Sequence, residues 1–322
     1  MRKIAVVGRT FQERNLKKIR DTAADCGFIV DFYTENKLTP ETAAQYEVLY
    51  GLPSPKLLPL MTNMRWFHSC AAGVDAYVKE ELYADPAIVL TNSAGAYGPT
   101  ISEHIIMVIL MLLRRYYPTF AQLVADRDWV QEIPMRSISD SRITVMGTGD
   151  IGTCFARKAK ALGAAHICGV RRTAKPAADC YDETVTYKEL DRVLPQTEIL
   201  VMALPGTPET NGILSRERIA LLPANAIVVN VGRGSAVDQD ALIDALNGGK
   251  IAGAALDVMV PEPLPKDHPL WTTKNLLLTP HCSGNFSLGL TEDINVERFC
   301  ENLVLYSKGE PLKHLVDRKL GY

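Results

Sequence analysis

Short runs of aliphatic and β-branched residues recur along the chain, separated by stretches whose apolar positions fall three and four apart. In the first third, residues 3–7, 28–33, 48–51, 66–69 and 88–91 read as strands, with a helix after the first of them through about Cys26. From residue 98 the pattern changes to a long apolar helix, about residues 100–115. Pro99 suits its first turn, Thr100 and Ser102 are capping candidates, and Glu103 lies near its positive end. Residues 105–113 are hydrophobic nearly all round, which predicts burial, in part against a second subunit. Arg114 and Arg115 end the run well short of the roughly 20 residues a membrane span requires. Residues 116–139, with Trp129, Pro134 and Met135, are less regular and read as a loop or arm. The alternation then restarts, with strands at 143–146, 167–170, 199–203, 227–231, 253–256 and 276–278 and a last helix over 290–306. Strands alternating with helices predict mostly parallel sheets covered on both faces, the α/β class.

Composition narrows the function more than the fold. A chain of 322 residues suits two domains. Its formal charge of −2, with no long Lys/Arg block, argues against nucleic acid or any partner recognised mainly by charge. The seven cysteines are odd in number and form no C-x-x-C pair, which disfavours a disulfide framework and a structural metal site. The first residues are too short an apolar stretch for a signal peptide and read as a strand, so a cytoplasmic protein with no membrane contact is expected.

The strongest local signal is Val145-Met-Gly147-Thr-Gly149-Asp-Ile-Gly152, set between a strand and a helix. Gly147 would allow the tight turn, Gly149 the approach of a pyrophosphate, and Gly152 close packing of helix on strand, with helix N–H groups facing the phosphate. About 20 residues on, where an acid would bind the ribose 2′-hydroxyl of NAD, stand Arg171 and Arg172. Guanidinium forks suit a 2′-phosphate, so NADP(H) is favoured and NAD(H) remains possible.

Polar residues follow several later strands, where open α/β sheets bind ligands. Arg233 stands between Gly232 and Gly234, Asp257 ends Ala254-Ala-Leu-Asp, Glu262 lies between prolines, and His281 follows Thr279-Pro. Each alone could be a solvated turn. Together Arg233, His281 and Glu262 supply what reduction of a 2-keto acid needs: a fork for the carboxylate, a proton donor, and an acid to orient that donor.

These residues resemble the D-isomer-specific 2-hydroxyacid dehydrogenase family, in segments running from Ser69-Cys-Ala-Ala-Gly-Val-Asp75 to Thr279-Pro-His-Cys-Ser-Gly284. The combination includes Leu204-Pro205 with Pro208-x-Thr210, Asn230-Val-Gly-Arg-Gly234, Leu256-Asp-Val and Glu262-Pro-Leu. The resemblance implies Arg233 as substrate-binding and catalytic arginine, His281 as acid/base and substrate contact, Glu262 as its partner, and Asp257 as holding the nicotinamide carboxamide. It implies backbone from Asp150 and Ile151 at the pyrophosphate. Leu204, Pro205 and Thr210 would line the adenosine side, and Val231, Gly232 and Gly284 would also contact the cofactor. In the loop 71–74, Ala72 and Gly73 would offer N–H groups to the substrate carboxylate. It further implies a Rossmann domain, residues 99–287, inserted in a flavodoxin-like substrate domain of residues 1–98 and 288–322, with the active site in the cleft between them. A homodimer would form through the helix at about 100–115. Arg171 departs from the family's commoner Asp and resembles its NADP-using glyoxylate and hydroxypyruvate reductases. Two alternatives stay open: a dinucleotide-sensing regulatory protein of the same fold with little turnover, and a dehydrogenase of an amino acid or phosphorylated acid. Tyr97, Trp129 and Met135 are the residues whose placement would discriminate among substrates.

Overall fold

The computed structural model describes residues 2–33, 37–174 and 178–321. Contacts divide the chain into two units, Met1–Tyr97 with Phe286–Tyr322 and Gly98–Asn285.

In the first unit β1 (Arg2–Val7), β2 (Phe28–Tyr33), β3 (Val48–Gly51), β4 (Trp66–Ser69) and β5 (Val89–Asn92) form a parallel sheet in the order β2-β1-β3-β4-β5. That is the flavodoxin-like order, with its reversal between β1 and β3. β3 and β4 are buried along their whole length, as strands covered on both faces must be. The helix Glu13–Asp25 turns Asn15, Ile19 and Ala23 inward at fourfold spacing and packs along the C-terminal helix Gly289–Lys308. Where they meet, Asn15 Nδ2 donates to Glu292 Oε1 at 2.7 Å, so the buried carboxylate is hydrogen-bonded. On the sheet itself, Tyr50 stacks on Phe299 with centroids 3.9 Å apart.

The second unit holds β6 (Arg142–Met146), β7 (His166–Arg171), β8 (Glu183–Thr186), β9 (Ile199–Met202), β10 (Ile227–Asn230), β11 (Gly253–Leu256) and β12 (Leu276–Leu278). They are all parallel, in the order β12-β11-β10-β9-β6-β7-β8, a dinucleotide-fold sheet with one strand added at its edge. The order reverses between β6 and β9, which puts the glycine turn after β6 at the place where such sheets bind ligands. Strand β8 escapes the apolar pattern because it is an edge strand with only Val185 buried.

The helix Gly98–Leu113 crosses β10 and β11 and lies against the helix Asp150–Ala161. It ends before the expected Arg115, which takes a left-handed φ of 57°. Within the single chain the sheet covers one side of this helix, and Met107 and Leu110 on it are 47% and 37% exposed. Residues 116–139 contain a turn at Tyr116–Phe120, the short helix Ala121–Asp126 and irregular chain beyond it. Among the described residues no helix is long and apolar enough to cross a membrane.

Candidate active site

Gly147 leaves β6 with a φ of 98°, its N–H bonded to Val170 O at 2.9 Å. A Cβ there would come within 2.5 Å of Ala203 O, and one on Gly152 within 1.9 Å of Gly147 O. Both positions are closed by backbone, so only glycine fits. Gly149 differs: a Cβ there would meet nothing within 4 Å, so its face of the turn is open. The helix Asp150–Ala161 starts at this point without a side-chain cap, and the N–H groups of Asp150, Ile151 and Gly152 have no acceptor among the described residues. Unpaired donors at a helix's positive end, beside open space, fit a pyrophosphate. The Asp150 side chain is engaged elsewhere, its Oδ2 accepting from Gly98 N at 2.7 Å.

Arg171 closes β7 and Arg172 follows, both half-buried. Leu204 is buried, and a Cβ on Gly232 would lie 2.6 Å from Leu204 N, so the exits of β9 and β10 touch. Val231 is buried beside them. Thr210 Oγ1 donates to Pro205 O at 2.7 Å and receives Thr207 N at 3.0 Å, so its hydroxyl braces the loop after Leu204.

Past β10 the chain makes a turn held by Asn230, which the sequence reading quoted without giving it a role. Its Oδ1 accepts from Gly232 N at 3.0 Å and its Nδ2 donates to Arg233 O at 2.9 Å. Arg233 is half-buried, and its Nη1 donates to Gly232 O at 2.8 Å. The signal for Asn230 was its short side chain at a strand end, two residues before a glycine.

Asp257 is buried and organises the segment that carries His281. Its Oδ1 accepts from Cys282 N at 2.9 Å and Thr279 Oγ1 at 2.6 Å, and its Oδ2 from Ser283 N at 3.1 Å. Thr279, which the sequence reading did not single out, lies 3.4 Å from His104 Nε2 on the long helix. Partial burial lowers the His104 pKa, against the pull of Asp257. His281 itself adopts a left-handed φ of 51°, and its N–H donates to Asp257 O at 2.8 Å. For a non-glycine residue that conformation costs about 1 kcal/mol, held here by the bonds around it. Its exposed ring places Nδ1 2.8 Å from Glu262 Oε2, while Glu262 Oε1 accepts from Met259 N at 2.9 Å. The carboxylate is thus fixed at both oxygens, and ring nitrogen Nε2 is the one left for chemistry. Gly284 closes this segment, and Asn285 N bonds back to Cys282 O at 3.1 Å. Beside the pair is a cavity of about 630 Å³ walled by Met259, Leu264, Trp271, Leu278 and Pro280. Of the residues meant to discriminate substrates, Trp129 and Met135 are 87% and 45% exposed and line none of this cavity, and Tyr97 is buried in the first unit.

In the first unit the loop after β4 is tied from three sides. Ser69 Oγ accepts from Ala71 N at 3.2 Å, Ser93 N donates to Ala71 O at 3.2 Å, and Asn92 Nδ2 donates to Ala72 O at 2.8 Å. The N–H groups of Ala72 and Gly73 have no acceptor among the described residues.

Glycine turn, strand order and free helix donors define the class, a dinucleotide-binding α/β protein. Comparison with known proteins carries this further. The model of the family described as D-isomer specific 2-hydroxyacid dehydrogenase, NAD binding domain, matches residues 106–283, more than half of the chain. A glyoxylate/hydroxypyruvate reductase A from Salmonella newport is 29% identical over 296 residues, 89% of this chain and 91% of that protein. Among solved structures, a family protein from Aeromonas salmonicida superposes with a TM-score of 0.85 at 29% identity, covering 98% of this chain and 99% of the other. Another, from Xanthobacter autotrophicus and solved with NADPH and MES, gives 0.83 at 28% identity with complete coverage of both chains. The chain belongs to the D-isomer specific 2-hydroxyacid dehydrogenase family, and it is a nicotinamide-dinucleotide oxidoreductase.

Proposed function

We propose that the enzyme reduces a small 2-keto acid at C2 to the D-2-hydroxy acid, with NADPH preferred to NADH. The observation that carries this reading is the His281–Glu262 pair at 2.8 Å, poised after β12 in the same unit as the dinucleotide turn and Arg233.

When bound, the dinucleotide supplies the hydride; the turn at Gly147, Gly149 and Gly152 and the N–H groups of Asp150 and Ile151 would hold its pyrophosphate. Leu204, Pro205, the Thr210-braced loop, Val231, Gly232 and Gly284 would flank it, and Asp257 would face its carboxamide. Arg233 takes the substrate carboxylate in its fork, and Ala72 and Gly73 offer it two backbone donors. His281 carries its proton on Nε2 toward the C2 oxygen. As that oxygen gains charge the proton crosses to it, and the ring is left neutral with its Nδ1–H still on Glu262. Glu262 therefore orients the ring toward the substrate and holds its Nδ1–H throughout. Solvent reloads the exposed imidazole. In this reading Gly98–Asn285 is the dinucleotide domain and the other unit the substrate domain.

Support for NADPH comes from Arg171 and Arg172 at the end of β7, and from the Xanthobacter relative solved with NADPH. Support for a homodimer comes from the exposed Met107 and Leu110 on the long helix.

The test is oxidation of NADPH and NADH by purified protein with glyoxylate, hydroxypyruvate and larger 2-keto acids. His281→Gln should lower kcat by roughly 10²–10⁴-fold, the range for a lost general acid. Arg171→Ala should cut the NADPH preference by roughly 10-fold or more, the worth of a charge-assisted bond. Dinucleotide binding without turnover of any acid would leave a sensor instead. A wild-type preference for NADH would overturn the cofactor assignment.

A further inference from the structure

The cavity of about 630 Å³ beside the His281–Glu262 pair is within the roughly 300–1,000 Å³ of small-molecule sites. Its walls are firm. Met259 is buried, and Leu264 and Leu278 pack on the apolar core of the second unit. Trp271 is half-exposed, yet its Nε1 donates to Pro265 O at 2.8 Å, which fixes the indole and occupies its one polar atom. The polar groups on the rim are engaged in the same way. Glu262 Oε1 accepts from Met259 N and Oε2 meets His281 Nδ1, while the Thr279 hydroxyl donates to Asp257 Oδ1. Among the described residues that line the cavity there is one carboxylate and no Lys or Arg. Two links tie this apolar space to the reacting groups, both inside Gly98–Asn285. His281 stands on its rim. A Cβ on Gly234 would come within 2.3 Å of Met259 C, so the turn that carries Arg233 packs directly on a residue of the wall.

This rests on the function proposed above. With the C2 oxygen at His281 Nε2 and the carboxylate on Arg233, the remaining substituent of C2 is the substrate side chain, and the space bordering both residues is this cavity. We propose that the cavity takes that side chain, so that the preferred substrates are 2-keto acids with apolar, branched or aromatic side chains, and that Trp271 and Leu264 set this specificity. A hydroxyl placed there would leave water for walls whose polar atoms are already engaged, and a distal carboxylate would also meet the charge of Glu262. An alkyl or aryl group gains from the same transfer.

The experiment compares kcat/KM for pyruvate, 2-oxobutyrate, 4-methyl-2-oxopentanoate, phenylpyruvate, hydroxypyruvate and 2-ketoglutarate in wild type, Trp271→Ala, Trp271→Phe and Leu264→Asn. Titration calorimetry of 4-methyl-2-oxopentanoate on protein loaded with the oxidised dinucleotide runs beside it. Wild type should favour 4-methyl-2-oxopentanoate over pyruvate by roughly 10- to 100-fold, the worth of added methylenes in an apolar pocket. It should favour 2-oxobutyrate over hydroxypyruvate, which exchange a methyl for a hydroxyl, by roughly 10-fold, with 2-ketoglutarate poorest of the six. Trp271→Ala and Leu264→Asn should each cut the ratio of 4-methyl-2-oxopentanoate to pyruvate roughly 10-fold, and Trp271→Phe should retain most of it. Wild type that turns over pyruvate, hydroxypyruvate or 2-ketoglutarate as well as the branched acid would overturn the assignment. So would variants that slow every acid alike, because the two residues would then only support the fold. Failure of the functional reading looks different: no acid is turned over. Calorimetry then decides, since branched-acid binding that weakens in Trp271→Ala supports the cavity assignment and absence of binding overturns it.

Discussion

The two units solve the same problem by opposite means. Each must hold a loop still at the end of a parallel sheet, with free N–H groups facing outward. In Gly98–Asn285 this is done by leaving side chains out: Gly147, Gly152, Gly232 and Gly234 are each closed by backbone within 2.6 Å of where a Cβ would stand. In the other unit it is done by side chains. Thr91 Oγ1 receives Trp66 Nε1 at 2.8 Å and lies 2.7 Å from His68 Nδ1, and Ser93 Oγ lies 3.3 Å from His68 Nε2 and donates to Ser69 O at 2.9 Å. With the Thr91 hydroxyl donating to Nδ1, the ring carries its proton on Nε2 and is neutral. Steric closure tolerates no substitution but is indifferent to pH, whereas a hydrogen-bonded chain tolerates trimming but depends on protonation.

The largest effect should come from testing closure directly. Gly152→Ala places a methyl group 1.9 Å from Gly147 O, an atom that cannot turn aside. Thermal and denaturant melts should show a loss of about 3 kcal/mol or more, as for severe overpacking, and dinucleotide affinity by fluorescence titration should fall with it. Gly149→Ala is the control, because its Cβ meets nothing within 4 Å. It should keep stability within about 1 kcal/mol and weaken dinucleotide binding alone. If the two variants behave alike in stability, closure is not what fixes the turn.

The second effect belongs to the other unit. Burial holds the His68 pKa down to about 3, with His314 and Arg298 adding to it. A base whose folded pKa lies below its unfolded value of about 6.5 stabilises fully above that value. The contribution is lost progressively as pH falls from about 6.5 toward 3. Over that whole window it amounts to several kcal/mol, at about 1.4 kcal/mol per pKa unit. Denaturant unfolding from neutral to acid pH should therefore be steeper in wild type than in His68→Gln. Carboxylates held low by partners, Glu47 by Arg2 and Asp293 by Arg14, add slope of the same sign to both proteins, so the difference isolates His68. Parallel slopes would mean the ring is not held neutral.

The same contrast explains what could be read from the sequence. Closure by glycine is written locally, so the turn at residues 147–152 and the Gly-Arg-Gly at 232–234 were legible with their roles, as were both sheets from their apolar runs. The His281–Glu262 contact was legible as chemistry, but its geometry depends on Asp257 and Met259, whose backbone and carboxylate roles leave no pattern. The tethers of the first unit join Ser69, Asn92, Ser93 and residues further off, each an ordinary polar residue until folding brings them together. Strand β8, with one buried side chain, offered no periodicity to detect.

The smallest effect tests whether side-chain tethering is as forgiving as its redundancy suggests. Cys70 O receives both the Tyr97 hydroxyl and Asn295 Nδ2, the latter at 2.6 Å, and Asn295 Oδ1 receives the Tyr50 hydroxyl at 2.9 Å. Tyr97→Phe removes one donor from a carbonyl that keeps another, so it should cost about 1 kcal/mol or less by denaturant melts. Asn295→Ala removes the other donor and also strands a fully buried tyrosine hydroxyl, which should cost about 2–3 kcal/mol more than the phenylalanine variant. The double variant should lose more than the sum of the singles, because only then is the carbonyl wholly unpaired. Simple additivity would show that the two donors act independently, and that the loop before Ala72 is held by packing around Tyr50 and Phe299 rather than by its hydrogen bonds.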